Sequence, residues 1–368
     1  MSDSRSMLLI GVGTAGAQIA RGVSRAYGDG LRYAIADTDA STGEGAGDFI
    51  LLGGDRLSGR GSGGDVAMAR LAAEDSVQTL DAKIEGVRLT VVVTCLGGGT
   101  GGGATLEILK RLSSLGMPTI VFATLPFLFE GEDRQRNARG VMSMIEDVAG
   151  AAIFLPLDKL VAGEDVMESA MRRATDSVAS GVTLFWRLVE KPGYLKLDAD
   201  RLRHLISGAG RGRFAAVTAQ GPDRAAQAVD MLIRSETLAI ASAAPKAVLC
   251  GVLAGDDLRL SELGQIADGI QETFGKQIPF ALGTVNDEAT FSGRLAAVVM
   301  IFEMDGSSAL PPGDSKAAAG GHRPKRSKSV LGTGPSKRGR FNNAEPTVWR
   351  GEDLDVPTFM RRGISLDF

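Results

Sequence analysis

The 368-residue chain has little cysteine and little histidine, with two of each. Cys95 and Cys250 stand alone in separate apolar runs, which excludes a disulfide framework and a CxxC-type metal site. His204 has no Cys, His or carboxylate cluster around it, so it reads as a surface residue on a helix, and no zinc-type metal site is expected. Long hydrophobic runs are also missing, since no window approaches the roughly 18 apolar residues that a membrane span needs. Met1–Ser6 is short and polar, and Met7–Val12 is too short to be the apolar core of a signal peptide. These absences give the expectation of a soluble protein in a reducing, cytoplasmic setting.

Glycine, by contrast, is in surplus: 49 residues, about twice the usual share of roughly 7%. A hydrophobic fraction of 44% excludes wholesale disorder, and the lack of a Gly-X-Y period excludes collagen. The glycines cluster, with 22 of them in the first 103 residues, so a local cause is required. Charge is also uneven beneath a net value of −3. Residues 306–345 carry eight Lys/Arg against Asp314 and Glu345, leaving the body acidic.

Residues 7–124 alternate short β-branched runs with segments of helical period. Met7–Gly11, Tyr33–Ala36, Leu89–Thr94 and Thr119–Thr124 read as buried strands, with helices at Ala15–Ala26, Val66–Leu80 and Thr105–Leu115. That alternation predicts an α/β fold with a parallel sheet and helices on both faces. A long helix follows at about 166–190, stopped by Lys191-Pro192-Gly193. Strands at 214–220, 247–254, 278–284 and 295–303 and helices at 223–233 and 261–274 then predict a smaller α/β domain joined to the first by that helix. The expected organisation is a nucleotide-binding domain at 1–165, a central helix at 166–193 and a second domain at 194–305. A basic linker at 306–345, read as disordered from its Gly, Pro, Ser and Lys/Arg content, leads to an apolar tail at 346–368. The linker reads as a solvated spacer or as a weak attractor of nucleic acid or an anionic membrane surface. It has no interleaved aromatics, so nucleic-acid stacking is not indicated.

Two glycine-rich loops carry the chemistry. Gly11-Val12-Gly13-Thr14-Ala15-Gly16 follows a strand and opens a helix, where backbone N–H groups and the helix dipole favour phosphate. Taken alone, it also fits a tight turn that binds nothing, or a Rossmann turn with an acid near residue 37. Gly97-Gly98-Gly99-Thr100-Gly101-Gly102-Gly103 is the second loop. So many glycines cost chain entropy and make sense where bare backbone wraps a polyanion. No GK[ST] accompanies either loop, which excludes a P-loop.

Gly97–Ala104 resembles the GGGTG[TS]GA signature of the tubulin/FtsZ superfamily. Other segments agree in order: Gly13–Ile19, Asp37-Thr38-Asp39-Ala40, Gly61–Asp65, Thr124–Gly131 with Arg134, Leu155–Leu160 and Ala254–Leu260. The tail Asp353–Arg361 resembles the C-terminal peptide by which FtsZ proteins dock membrane-tethering division partners. The chain therefore resembles a divergent bacterial FtsZ over 7–303 and again at its tail.

The resemblance implies a GTPase that polymerises head to tail at the division site, with GTP and Mg²⁺ bound in the first domain. It assigns Gly11, Gly13, Thr14, Ala15, Gly16, Gln18, Asp39, Gly63, Gly64, Gly97, Gly98, Gly99, Thr100, Gly101 and Gly102 to the phosphate end. Glu130 and Arg134 match positions near the ribose, and Met171 and Thr175 match the base-contacting Phe and Asn. Hydrolysis in the family uses a loop from the next subunit, matched here by Asp198 and, one place early, Asp200. Lys196 and Arg201 replace the Asn and the second Asp of that pattern. Leu354, Asp355, Val356, Pro357, Phe359 and Met360 would bind the partner. The departures leave two alternatives: a nucleotide-binding polymer scaffold or regulator with weak or no GTPase activity, and a Rossmann-type oxidoreductase built on the first loop alone.

Overall fold

The computed structural model describes residues 7–45, 48–161, 166–191, 193–197, 199–206, 210–239, 245–303, 348–349 and 352–353. It forms two compact units, 1–311 and 312–368. In the second, Val348–Trp349 pairs antiparallel with Glu352–Asp353. The tail residues Leu354 to Met360 lie outside the described residues.

The first unit is built on one ten-stranded sheet. Its strands are β1 (Met7–Val12), β2 (Tyr33–Asp37), β3 (Phe49–Leu51), β4 (Leu89–Cys95), β5 (Thr119–Leu125), β6 (Ala151–Pro156), β7 (Gly210–Gln220), β8 (Pro245–Ala254), β9 (Phe280–Asn286) and β10 (Arg294–Glu303). The longer helices are α1 (Gly13–Tyr27), α2 (Val66–Glu74), α3 (Thr105–Ser114), α4 (Glu132–Val148), α5 (Met167–Glu190), α6 (Ala199–Ile206), α7 (Arg224–Ile233) and α8 (Leu260–Phe274).

The strand order is β3-β2-β1-β4-β5-β6-β7-β10-β8-β9. From β3 to β7 every pair is parallel; β10 then lies antiparallel to both β7 and β8, and β8 is parallel to β9. β1 is buried at all six positions, as expected of a parallel strand covered by helices on both faces. The fold is α/β, a parallel-sheet half joined by the long helix α5 to a smaller α/β half.

Two boundaries depart from the sequence pattern for local reasons. The helix expected at 66–80 ends at Glu74, because the Ser76 hydroxyl accepts the Gly53 N–H at 2.9 Å and the chain turns into a 3₁₀ segment, Val77–Lys83. The strand expected from Phe214 starts at Gly210, and these extra residues pair with β6, so one sheet runs through both halves.

The core follows that continuity. Ile19, Ala20 and Val23 of α1 share one apolar cluster with Val182, Phe185 and Trp186 of α5 and with Leu249, Val298 and Met300 of the second half. Helix α1 buries Gly16, Ala17, Ile19, Ala20 and Val23, and the last three carry its share of this core at helical spacing. At its crossing with α5, a Cβ added to Gly22 would stand 2.9 Å from the Ala179 methyl. Phe122 of β5 meets Phe214 of β7 edge-on at 5.0 Å and Phe185 of α5 at 6.1 Å, and is itself fully buried. Phe122→Ala should therefore destabilise the whole unit by about 3–5 kcal/mol. In urea unfolding, the buried Trp186 signal and far-UV circular dichroism should shift together; separate transitions would show that the halves unfold independently.

Candidate functional site

Strand β1 leads to β2 and β3 on one side of the sheet, while β4, β5 and β6 follow on the other. The direction of the chain across the sheet thus reverses between β1 and β4. Ligands of such sheets settle in the crevice beyond the strand ends at that reversal. A cavity of about 470 Å³ opens there, with Val12–Ala15 at the end of β1 and Cys95, Leu96 and Gly98–Gly101 at the end of β4 forming its floor. Thr38, Asp39 and Arg60–Gly64 close it on the β2 side, and Thr124, Pro126, Glu130, Arg134, Leu157 and Met171 on the β5–β6 side.

The glycines divide into two groups with different physical causes. At Gly63, Gly64 and Gly98 an added Cβ would meet nothing within 4 Å, and all three border the cavity. Gly63 and Gly64 also hold φ of +60° and +88°, where a side chain is strained. At Gly11, Gly16, Gly101 and Gly103, by contrast, protein packs where a Cβ would stand. A Cβ on Gly16 would lie 2.6 Å from the Val93 carbonyl, and one on Gly11 would lie 2.7 Å from that of Gly16. On Gly101 it would overlap the Cys95 carbonyl, and on Gly103 the Val66 carbonyl. Thr100–Ala104 forms a π-helical turn against α2, so close packing as well as the cavity floor accounts for the glycine run.

Of the sequence-identified residues, Gly13, Thr14, Ala15, Asp39, Gly63, Gly64, Gly98, Gly99, Thr100, Gly101, Glu130, Arg134 and Met171 meet around the cavity. Gly11, Gly16, Gln18, Gly97, Gly102 and Thr175 are not on its wall. Thr175 instead donates its hydroxyl to the Met171 carbonyl of its own helix at 3.0 Å. Asp198 lies outside the described residues. Asp200 stands exposed on α6, where its carboxylate pairs with Arg88 at 2.6 Å. His204 is exposed.

Hydrogen bonds set the electrostatics of the wall. Asp37 accepts from the Thr14 hydroxyl at 3.1 Å and the Thr38 N–H at 2.7 Å. Asp39 accepts from the hydroxyl and N–H of Ser41, at 2.7 and 2.9 Å, which hold its carboxyl below the usual range. Glu130 accepts from the Phe127 N–H and the Arg134 guanidinium, both at 2.8 Å. The Thr38 and Thr100 hydroxyls bond at 2.7 Å and tie the β2 side to the glycine loop. No side chain caps the first turn of α1, which leaves its N-terminal N–H groups suited to an anion.

Among the described residues no group of three His, Cys, Asp or Glu could hold a metal ion. A divalent cation here would take most of its ligands from bound phosphate and water, as Mg²⁺ does. The open glycine cradle, the α1 N-terminus and two arginines fit a nucleoside polyphosphate. Cys95 and Arg60 also stand on the wall without being singled out by the sequence pattern; their only signal is adjacency to the glycine motifs.

Fold and site together define an α/β protein with a glycine-lined cavity at its sheet reversal. The Tubulin/FtsZ family GTPase-domain model matches residues 6–163. The FtsZ family C-terminal domain model matches residues 210–305. Among solved structures, an empty FtsZ dimer from M. jannaschii is similar at TM-score 0.76 and 21% identity, over 84% of this chain and 95% of that one. A GTPgS-bound CetZ2 protofilament from Haloferax volcanii is similar at 0.68 and 21%, over 80% and 92%. The GDP-bound CetZ1 monomer from the same organism follows at 0.67 and 16%, over 80% and 93%. At these identities the structural likeness is one of fold. The chain belongs to the tubulin/FtsZ superfamily and carries that family's GTPase domain.

Two experiments probe the wall. Gly98→Ala should leave stability within about 0.5 kcal/mol of the parent and weaken nucleotide binding. Gly101→Ala should cost about 1–3 kcal/mol or more in unfolding, because its methyl has no space. Equal stability of the two variants would refute the division of the glycines. Cys95 accepts the Thr124 hydroxyl at 2.6 Å, and burial pushes its thiol up to about 11, while burial pushes Cys250 up to about 12. The reactive thiolate of Cys95 is then a small minority at pH 8. Iodoacetamide labelling, followed by mass spectrometry, should be slow at pH 8, rise about tenfold per pH unit towards pH 10, and fall when nucleotide is bound.

Proposed function

We propose that the chain is a GTP-binding, FtsZ-like filament protein of cell division, cytoplasmic and recruited to the division site. The observation that carries this reading is the cavity where β1 and β4 end, with open Cβ positions at Gly63, Gly64 and Gly98 and the uncapped start of α1. The phosphates of GTP would lie over Gly98–Gly101 and Gly13–Ala15, with the ribose beside Glu130 and Arg134. Bound Mg²⁺ would supply charge neutralisation between the phosphate oxygens. Leu157 and Met171 offer the base an apolar contact, whereas the Thr175 hydroxyl is taken by its own helix. Recognition then rests more on the phosphates than on the guanine edge.

Self-association is consistent with two of the similar structures, which are an FtsZ dimer and a CetZ2 protofilament. In the proposed filament, Asp198 of one subunit enters the cavity of the next and polarises the attacking water. The tail peptide Leu354–Met360 docks membrane-tethering division partners. Among the described residues no helix is long and apolar enough to cross a membrane, so attachment would pass through such a partner.

A second reading, a nucleotide-binding scaffold with little or no hydrolysis, is favoured by one observation. Asp200, the second acid of the loop region, is held by Arg88 of its own chain, which leaves Asp198 as the single acid to act on water. Sedimentation with GTP, GDP or no nucleotide, read beside phosphate release, separates the readings. GTP-dependent pelleting with steady release supports the GTPase, pelleting without release supports the scaffold, and failure to bind any nucleotide removes both. Asp198→Ala should leave GTP affinity within about threefold and lower turnover at least about tenfold. Unchanged turnover would exclude the loop from the chemistry.

A further inference from the structure

The cavity wall carries two arginines, and they differ in what they are already bound to. Arg134 donates to Glu130 at 2.8 Å, so its charge is largely offset. Arg60 has no carboxylate partner among the described residues. The remaining acids on the wall, Asp37 and Asp39, are occupied by Thr14, Thr38 and Ser41. Arg60 is thus the one wall cation, among the described residues, whose charge is not already used.

Its backbone is also fixed. The Arg60 N–H donates to the Leu57 carbonyl at 3.1 Å, and Arg60 forms an antiparallel bridge with Asp39. Flanking glycines hold left-handed backbone, with φ of +71° at Gly59 and +76° at Gly61. Their groups bond across to Ala40 at 2.9 Å and Thr38 at 3.1 Å. Two residues on, the Ser62 hydroxyl packs against the Cα of Gly99, so the segment rests on the glycine loop.

Position along the sheet decides which part of a ligand Arg60 meets. Asp39 and its bridged partner follow β2, whereas Glu130 follows β5 and Leu157 follows β6; β1 and β4 lie between. A nucleotide with its base at Leu157 and Met171 and its ribose at Glu130 runs its phosphates across the β1 and β4 ends towards β2. The phosphate farthest from the base arrives beside Arg60.

Resting on the nucleotide reading above, we propose that Arg60 binds the terminal phosphate of a nucleoside triphosphate and sets the preference for triphosphate over diphosphate. A guanidinium suits this task, since it forms paired, charge-assisted hydrogen bonds to phosphate oxygens. The test is calorimetric titration of the full chain, in Mg²⁺, with GTPγS and with GDP. Arg60→Ala should weaken GTPγS at least about tenfold and leave GDP within about threefold. Arg60→Lys, which keeps the charge but loses the fork, should fall between the parent and Arg60→Ala. Arg60→Gln keeps a polar side chain without the charge or the fork and should repeat the alanine pattern should that variant fold poorly. Unchanged GTPγS affinity, or an equal loss for both nucleotides, overturns the assignment. A parent chain that binds neither nucleotide overturns the reading beneath it instead.

Discussion

The structure depends on the close approach of two backbone turns at the point where the sheet reverses. Gly16 at the start of α1 lies against the Val93 carbonyl of β4, and Gly13 lies against the Gly101 amide. Between them the Thr94 hydroxyl donates to the Gly101 carbonyl at 3.0 Å and accepts from Thr105 at 3.0 Å. Side chains at these glycines would force the turns apart and pull α1 off the sheet. The cavity exists because this contact brings the two turns together at their backs while their opposite sides face outward. Fold and site therefore share one steric constraint, and the glycine run satisfies both.

That geometry also explains how an acidic wall can receive an anion. Asp37, Asp39 and Glu130 would repel phosphate if their carboxylates pointed freely into the cavity. Each is instead directed to local donors: Thr14 and Thr38 for Asp37, Ser41 for Asp39, Phe127 and Arg134 for Glu130. The acids act as braces that fix the loops after β2 and β5. Backbone N–H groups, the α1 terminus and Arg60 then set the potential that a ligand meets.

Much of this was legible in the sequence, and the rest was not for identifiable reasons. The buried strands announce themselves as unbroken apolar runs, and α5 carries a helical period long enough to read across its 24 residues. Phe49–Leu51 is too short to show any period. The pairing of Gly210–Gly212 with β6 is a long-range contact between residues of no distinctive composition, so the continuous sheet leaves no local signal. At the site, the motifs indicate which loops meet but not which atoms face inward. Gly97 and Gly98 are indistinguishable as letters, yet one packs beside the Arg134 backbone and the other opens on the cavity. Thr175 shows the same limit, because its turn back onto its own helix depends on a rotamer rather than on its identity.

The far end of α1 ties the cavity to the second half of the molecule. Arg187 of α5, with its side chain only 11% exposed, donates to the Ala26 carbonyl at 3.2 Å and lies 5.6 Å over the Tyr27 ring. The same guanidinium donates to Asp287 at 2.7 Å and Thr290 at 3.2 Å, both just beyond β9. Burial, reinforced by Glu190, pushes the Tyr27 hydroxyl up, against the opposing pull of this cation. Helix α1 is 15 residues long, so it spans about 22 Å as a rigid rod between the cradle and this joint. Gly22 lets the rod lie directly on Ala179 of α5 at mid-length. One helix thus touches both the cavity wall at its start and, through Val182, Phe185 and Trp186 of α5 and the Arg187 joint, the half of the molecule that does not line the floor of the cavity.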